Sequence, residues 1–422
     1  MRVSNLLGHR FVVDSREVKT GDVFVAIKGA RVDGHDFVNQ AVQNGAFAVI
    51  VERDLHLSNQ IIVPNTIEFL GELAGEIINS AHPKIVGLTG SNGKTTTKEI
   101  LWNVLSAEIP TFKNEGNLNS EIGLPLSIIN SYNGEKILVL EMGQRMVGDI
   151  EYLCKFFPPD IGILLNVGSA HVGIAGDLES IFKGKWQIVE KSKQALVNYD
   201  DERMRKWNCE KCKYFGTNGG DYTLKGKKFN GKSTLINFCT GGENYFYCLP
   251  GYWTKVMTLS VLVAFSVCDM LDIIFNPNSL LEFRALKGRF NVHDYQAGYI
   301  IDDSYNASYE SFKAGIEEVL LNFPRPYYAV VGAMKELGEY SEYYHRQLSE
   351  LLENFDGIIV LDNEEESRYI NTSNLIFRSP SLEEVTNFLS DRVLKPDFSG
   401  TVYFKASRAV ELERIVYSIL DE

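Results

Sequence analysis

The sequence predicts an α/β protein of three domains, with a central doubly wound, mostly parallel sheet built around a phosphate-binding loop. Three observations carry that expectation. The chain has 422 residues, too many for one hydrophobic core and enough for roughly two to four domains. Short apolar runs, as expected of parallel strands buried on both faces, alternate with stretches of helical period. Gly87-Leu88-Thr89-Gly90-Ser91-Asn92-Gly93-Lys94-Thr95-Thr96 then sets a glycine-rich turn between the apolar Ile85-Val86 and the helical run Thr97-Lys98-Glu99-Ile100-Leu101. Such a turn wraps backbone N–H groups around phosphate, and the helix N-terminus adds partial positive charge. The glycines are Gly87, Gly90 and Gly93, with Leu88 where the strict loop spacing has its first glycine. Lys94 is expected on the β/γ-phosphates and Thr95 on Mg²⁺.

The first domain is expected over residues 1–82, a small α/β unit with strands at 23–27 and 48–51 and a helix at 66–79. Ala81-His82-Pro83 then breaks the helix, because proline cannot continue it. The central domain is expected over 83–287, with strands at 85–88, 137–141 and 161–166. Residues 208–248 are rich in Gly, Lys, Tyr, Thr and Asn without a helical period, and read as a small antiparallel insert. The last domain is expected over 288–422 as a Rossmann-like unit, with strands at 300–301, 328–331, 357–361 and 402–404 and helices at 342–353 and 382–392.

Composition narrows the function. A formal net charge of −13 argues against a nucleic-acid partner, which needs net positive surface. It leaves room for one positive pocket holding a small anion. Membrane insertion is not expected, since no long apolar run is present. The opening Met1-Arg2-Val3-Ser4-Asn5-Leu6-Leu7-Gly8 lacks the apolar region of a signal peptide, so the cytoplasm is expected; a monomer is expected as well. Cys209 and Cys212 are the one close pair among six cysteines. A zinc site needs a second such pair, which Cys239 and Cys248 do not supply, so reduced thiols are expected.

Three further residues carry chemistry. Glu141 closes the apolar run Lys136-Ile137-Leu138-Val139-Leu140, and a carboxylate at a strand tip beside the phosphate loop suits Mg²⁺. His171 ends the strand-loop Asn166-Val167-Gly168-Ser169-Ala170-His171, and Lys185 lies in Phe182-Lys183-Gly184-Lys185-Trp186-Gln187.

In this order the residues resemble the Mur ligase family over nearly the whole chain. The resemblance is carried by Asp14-Ser15-Arg16, Gly21-Asp22-Val23-Phe24-Val25-Ala26 and Asp33-Gly34-His35-Asp36-Phe37 in the first domain. In the second it rests on the loop, Asn117-Leu118-Asn119 and Glu141-Met142-Gly143. In the third it rests on Gly288-Arg289-Phe290, Asp302-Asp303-Ser304-Tyr305-Asn306-Ala307 and Met334-Lys335-Glu336-Leu337-Gly338-Glu339. The resemblance implies an ATP-dependent ligase of peptidoglycan precursor synthesis. It would add D-Ala-D-Ala to UDP-N-acetylmuramoyl-tripeptide through an acyl phosphate.

The resemblance also implies roles. Lys94, Glu141, His171 and Lys185 would be catalytic. Thr89, Gly90, Ser91, Asn92, Gly93, Lys94, Thr95, Thr96, Arg289 and Asp303 would bind ATP. Thr95, Glu141, His171 and Lys185 would serve Mg²⁺, with Lys185 carbamylated, because an ammonium cannot ligate a cation. Lys183 is the alternative to Lys185. Ser15, Arg16, Asn117, Asn119 and Asn306 would touch the substrates, and Lys405, Ser407 and Arg408 are candidates for the dipeptide carboxylate. Residues 251–257 lack the side chains that usually frame adenine, so Trp253 either stacks on the base or belongs to the core.

Other readings are distinguishable. The family member that adds a diamino acid carries an Asp-Asn-Pro-Arg clamp, whereas here Asp362-Asn363 is followed by Glu364-Glu365. Folylpolyglutamate synthase lacks the first domain. A non-catalytic nucleotide-binding regulator would not need a second metal site.

Overall fold

In the computed structural model, residues 6–29, 32–207 and 209–420 are described. Met1 to Asn5, part of the opening segment read above, and Asn208, the first residue of the expected insert, lie outside them. Among the described residues the strands form three sheets.

The first sheet holds β1 (Phe11–Val12), β2 (Val23–Val25), β3 (Ala48–Val51) and β4 (Gln60–Ile62) in sequence order, all parallel. β2 and β3 are buried throughout, so they read as unbroken apolar runs rather than alternating ones. The helix Thr66–Asn79 starts at Asn65, whose side chain accepts from the Glu68 N–H, as an N-cap should. It buries Phe69, Leu70, Leu73 and Ile78, one stripe at helical spacing.

The second sheet comprises β5 (Lys84–Thr89), β6 (Thr111–Lys113), β7 (Ile137–Glu141), β8 (Ile161–Leu164), β9 (Gln194–Asn198), β10 (Cys212–Gly216), β11 (Tyr222–Phe229), β12 (Ser233–Thr240) and β13 (Glu243–Pro250). Their order is β13-β12-β11-β10-β9-β8-β5-β7-β6. β5 lies between β7 and β8, and the chain winds outward from it in both directions. That is the switch point where doubly wound sheets bind ligands. The expected antiparallel insert is present and continuous with the main sheet. β10 pairs in parallel with β9, and β11 in parallel with β10. Only the β11–β12 and β12–β13 pairs are antiparallel, and all three strands extend the main sheet.

The third sheet holds β14 (Asn291–Tyr295), β15 (Gly298–Asp302), β16 (Tyr327–Val331), β17 (Gly357–Leu361), β18 (Leu375–Ser379) and β19 (Thr401–Lys405), ordered β14-β15-β19-β16-β17-β18. The β14–β15 hairpin is its one antiparallel pair. The helix expected over 382–392 runs Leu382–Phe388 and then widens into a π turn, Leu389–Val393.

Cys209 and Cys212 form a disulfide, which corrects the expectation of reduced thiols. The Cys212 N–H donates to the Cys209 carbonyl at 3.0 Å, and this turn brings the two side chains together. Among the described residues no helix is long and apolar enough to cross a membrane.

Candidate active site

The phosphate loop starts where β5 ends. Gly93 sits at φ +80 before the helix Lys94–Ser106 and offers no side-chain cap, so the first N–H groups of that helix point free into the cleft. The loop is pinned from β8. Asn166 accepts from the Asn92 N–H at 2.8 Å and donates to the Asn92 carbonyl at 2.9 Å. Ser91 Oγ accepts from the Gly168 N–H at 2.8 Å. A Cβ on Gly90 would stand 3.0 Å from Leu165 Cβ, so the close crossing of the two strands favours glycine there. Lys94 Nζ folds back onto the Gly90 carbonyl at 2.7 Å. Its pKa is lowered by burial, an effect Glu141 opposes and Arg289 reinforces. Thr95 and Thr96 are buried on the same first turn.

Glu141 stands at the tip of β7 and is 1 % exposed. Oε1 accepts from Asn119 Nδ2 at 2.8 Å. Oε2 is buried without a hydrogen-bond partner, 3.7 Å from Lys98 Nζ. Thr89 Oγ1 is likewise buried and unpartnered. An orphaned carboxylate oxygen beside a phosphate loop fits a cation, because leaving it unpaired is otherwise costly. Among the described residues no three His, Cys, Asp or Glu side chains converge as a metal cage.

Lys185 lies on the helix Leu178–Lys191 and is 1 % exposed. Among the described residues it makes no hydrogen bond or ion pair. Burial, and secondarily the charge of Lys94, holds its pKa well below the usual lysine range. Lys183, the alternative, is exposed and lies 3.5 Å from Glu179 on its own helix.

The third sheet unit docks onto this edge. Arg289 Nη2 donates to Thr95 Oγ1 at 3.1 Å, and its guanidinium lies 4.1 Å from the Tyr305 ring centroid. Ser308 Oγ donates to Asn92 Oδ1 at 3.0 Å. Glu310 accepts from the Ser169 N–H at 2.8 Å and its hydroxyl at 2.9 Å. His171 Nδ1 lies 2.5 Å from Glu336 Oε2, with the carboxylate off the line of the ring N–H, so the contact is electrostatic rather than a well-aligned hydrogen bond.

Other expected residues stand farther out. Asp303 does not touch the loop. It pairs with Lys405 Nζ at 2.7 Å and accepts from the Tyr403 hydroxyl at 2.9 Å, and burial raises its pKa. Lys405, a candidate for the dipeptide carboxylate, is thereby committed to Asp303 and to the Asn306 carbonyl. Asn306 is exposed, with Oδ1 accepting from the Arg408 N–H at 3.4 Å. Asn117 is exposed, and its carbonyl accepts from the Asn119 N–H. Ser15 Oγ is bonded to Gln40, and Arg16 lies on the surface paired with Asp14. Trp253 is 3 % exposed, donates to the Pro250 carbonyl and packs on Phe283. It is a core residue and not a free base-stacking platform.

Sequence reasoning missed Lys98, Asn114 and Asn166. Lys98 is fully buried and donates to the Asn114 and Gly116 carbonyls at 2.7 and 2.8 Å. Its signal was the spacing of four residues from Lys94, which puts both ammonium groups on one helix face.

Three family models match the chain: Mur ligase family, catalytic domain over 9–89, Mur ligase middle domain over 88–251, and Mur ligase, glutamate ligase domain over 288–390. The crystal structure of MurF ligase from Thermotoga maritima in complex with ADP is 42% identical, with a TM-score of 0.92 over 100% of this chain and 99% of that one. The chain belongs to the Mur ligase family. Among Mur ligases, MurF from Acinetobacter baumannii is 28% identical with a TM-score of 0.88, covering 98% of this chain and 93% of that one. The UDP-N-acetylmuramoyl-tripeptide--D-alanyl-D-alanine ligase of Bacillus subtilis is 28% identical over 98% of this chain and 93% of its own length. The fold is that of these Mur ligases: three α/β units, the central sheet mostly parallel with antiparallel strands at one edge.

Proposed function

We propose that this Mur ligase joins the amine of D-Ala-D-Ala to the free carboxylate of UDP-N-acetylmuramoyl-tripeptide, driven by ATP. One observation carries the reading. The phosphate-loop lysine Lys94 feels the charges of Glu141 and Arg289, Lys185 feels that of Lys94, and Arg289 reaches Thr95, which supports one shared site. The relatives named above supply the substrates. We infer domain boundaries after residues 82 and 287, where the connections between sheets run.

The γ-phosphoryl group passes to a carboxylate oxygen. The bond to ADP breaks, and an acyl phosphate forms. The dipeptide amine adds its lone pair to the acyl carbon, loses a proton, and phosphate leaves with the electrons of the C–O bond. Little of this needs covalent help from the protein, so positioning and charge neutralisation carry the rate. The Gly90–Lys94 backbone cradles the phosphates while Lys94 leaves its loop carbonyls to meet them. Arg289, already on Thr95, faces the charge that develops on the transferring group. Thr95 and Glu141 would hold Mg²⁺, which neutralises phosphate charge when bound.

Burial, and secondarily the charge of Lys94, lowers the Lys185 pKa well below the usual lysine range and so favours the uncharged amine. An uncharged amine can add to CO₂: an N–C bond forms, a proton leaves, and a carbamate with carboxylate-like oxygens results. His171 serves the same side of the cleft. Ser15 and Arg16 would meet the uridine part, Asn117 and Asn119 the peptide, and Asn306 the dipeptide. ATP and a nucleotide-activated sugar are reagents of the cytoplasm, and one chain supplies every group invoked.

Phosphate release by the purified chain tests the reading. Release is expected only with UDP-N-acetylmuramoyl-tripeptide and D-Ala-D-Ala together. Release driven by lysine or diaminopimelate instead of the dipeptide would overturn it.

A further inference from the structure

We propose that Glu336 is a positioning residue for His171, so that the His171 side of the cleft is complete only while the third sheet unit is docked. The proposal rests on the reading above, in which His171 serves the active site. Among the described residues Glu336 is the one partner of the His171 ring, with Oε2 2.5 Å from Nδ1. The backbones of the two loops interlock around that contact. The Gly173 N–H donates to the Glu336 carbonyl at 3.1 Å. The Tyr340 hydroxyl donates to the Gly176 carbonyl at 3.3 Å. Gly173 and Gly338 cross so closely that a Cβ on Gly173 would stand 2.4 Å from Gly338 N. A side chain on Gly173 would therefore force the two loops apart.

His171 and Glu336 both adopt left-handed backbone, at φ 66 and φ 64. Residues with a Cβ adopt that conformation rarely, and it persists where the surroundings over-determine it. Here each strained turn is held by the other. A carboxylate beside Nδ1 attracts that edge of the imidazole, biasing the ring toward the orientation that leaves Nε2 as the nitrogen free to work. Because Glu336 belongs to a different sheet unit from His171, docking of that unit and orientation of the ring are one event. Arg289 on Thr95 and Glu310 on Ser169 are made by the same docking, but neither touches the His171 ring.

Two variants of the full chain test this. Glu336→Gln keeps the size of an exposed side chain and the fold. It should lower kcat about tenfold or more, the usual effect of losing such a partner, while KM for ATP stays within about twofold. Gly173→Ala should force the loops apart, lower kcat likewise, and enlarge the radius of gyration in small-angle scattering. In protein labelled with ¹⁵N-histidine, the ring signal missing from His171→Ala should move in both variants. Wild-type kcat in Glu336→Gln, or an unmoved His171 signal, would overturn the proposal. If Gly173→Ala does not fold, the kcat and ring signal of Glu336→Gln decide alone. If the unaltered chain releases no phosphate with its substrates, the functional reading fails, while scattering and the ring signal still test the pairing.

Discussion

Lys98 Nζ and Glu141 Oε2 lie 3.7 Å apart, and both side chains are shut off from solvent. The ammonium also holds the Asn114 and Gly116 carbonyls, so one cation ties the phosphate-loop helix to the 114–119 loop and to the strand-tip carboxylate. Lys98→Met leaves Glu141 a buried charge without its counter-ion. The expected loss of stability is about 3–5 kcal/mol, read from urea unfolding. A loss under about 1 kcal/mol would mean that water already reaches Glu141.

Lys94 contacts only carbonyls of its own loop, so the fold does not depend on it. Lys94→Ala should keep the melting temperature and lose phosphate release by about a hundredfold or more. Activity within a few-fold of the unaltered chain would remove Lys94 from the reaction.

Lys185→Ala should be nearly inactive and partly rescued by acetate or formate, which return a carboxylate to the vacated space. Carbon-13 NMR of enzyme equilibrated with labelled CO₂ should show a carbamate signal that this variant lacks. An unmodified amine in active, equilibrated enzyme would contradict the carbamate.

The first sheet carries an acid-sensitive contact. The Asp33 carboxyl is held below its usual range, first by the His35 backbone N–H, then by the His35 ring and Arg53. A carboxyl lowered on folding binds fewer protons than in the unfolded chain. Its stabilisation is therefore present above the ordinary carboxylate pKa and lost as pH falls through the folded one. Asp33→Asn should flatten the drop in melting temperature below about pH 4. An unchanged acid limb would place the sensitivity elsewhere.

Glu318, on the helix Tyr309–Asn322, reaches across to the second sheet. It accepts from Lys227 at 2.6 Å, from the Tyr252 hydroxyl and from the Lys255 N–H. These donors, and Asn322 Nδ2 at 3.2 Å, lose this acceptor in Glu318→Ala, and Lys227 is left buried with its charge and, among the described residues, only the Tyr252 hydroxyl at 3.1 Å. About 3 kcal/mol should be lost, measured by calorimetry. Full stability would show that Lys227 swings out to water.

Local signals in the sequence were enough for some elements and not for others. The helix Thr66–Asn79 and the strands β7 and β17 stand where their patterns put them. One has a cap and an apolar stripe, and the others are uniformly buried. β1 has two residues, β4 is half exposed, and β14 alternates no apolar face, so pairing alone makes them strands. At the site, Glu141 was visible as a carboxylate at a strand tip. The work of Lys98 and Asn166 was not, because it depends on partners 18 and 74 residues away. Lys405 misled for the same reason, and the choice between the two readings of Trp253 stayed open. Their type allowed a ligand contact, but Phe283 and Asp303 had already claimed them.

Asn130 turns one side chain into a missing strand. Its amide accepts from the Phe11 N–H at 2.7 Å and donates to the Phe11 carbonyl at 2.9 Å, so it satisfies the open edge of β1 as a neighbouring strand would. Asn130 belongs to the helix Gly123–Ser131, beside the second sheet. Nearby, Gly71 passes close to Phe156, where even a Cβ would meet the ring at 2.7 Å. The first and second sheets are thus grafted together by contacts that the third sheet does not share. The third sheet meets the second through Arg289, Glu310, Glu318 and Glu336, and Gly288, at φ +71, lies in the connection that leads into it.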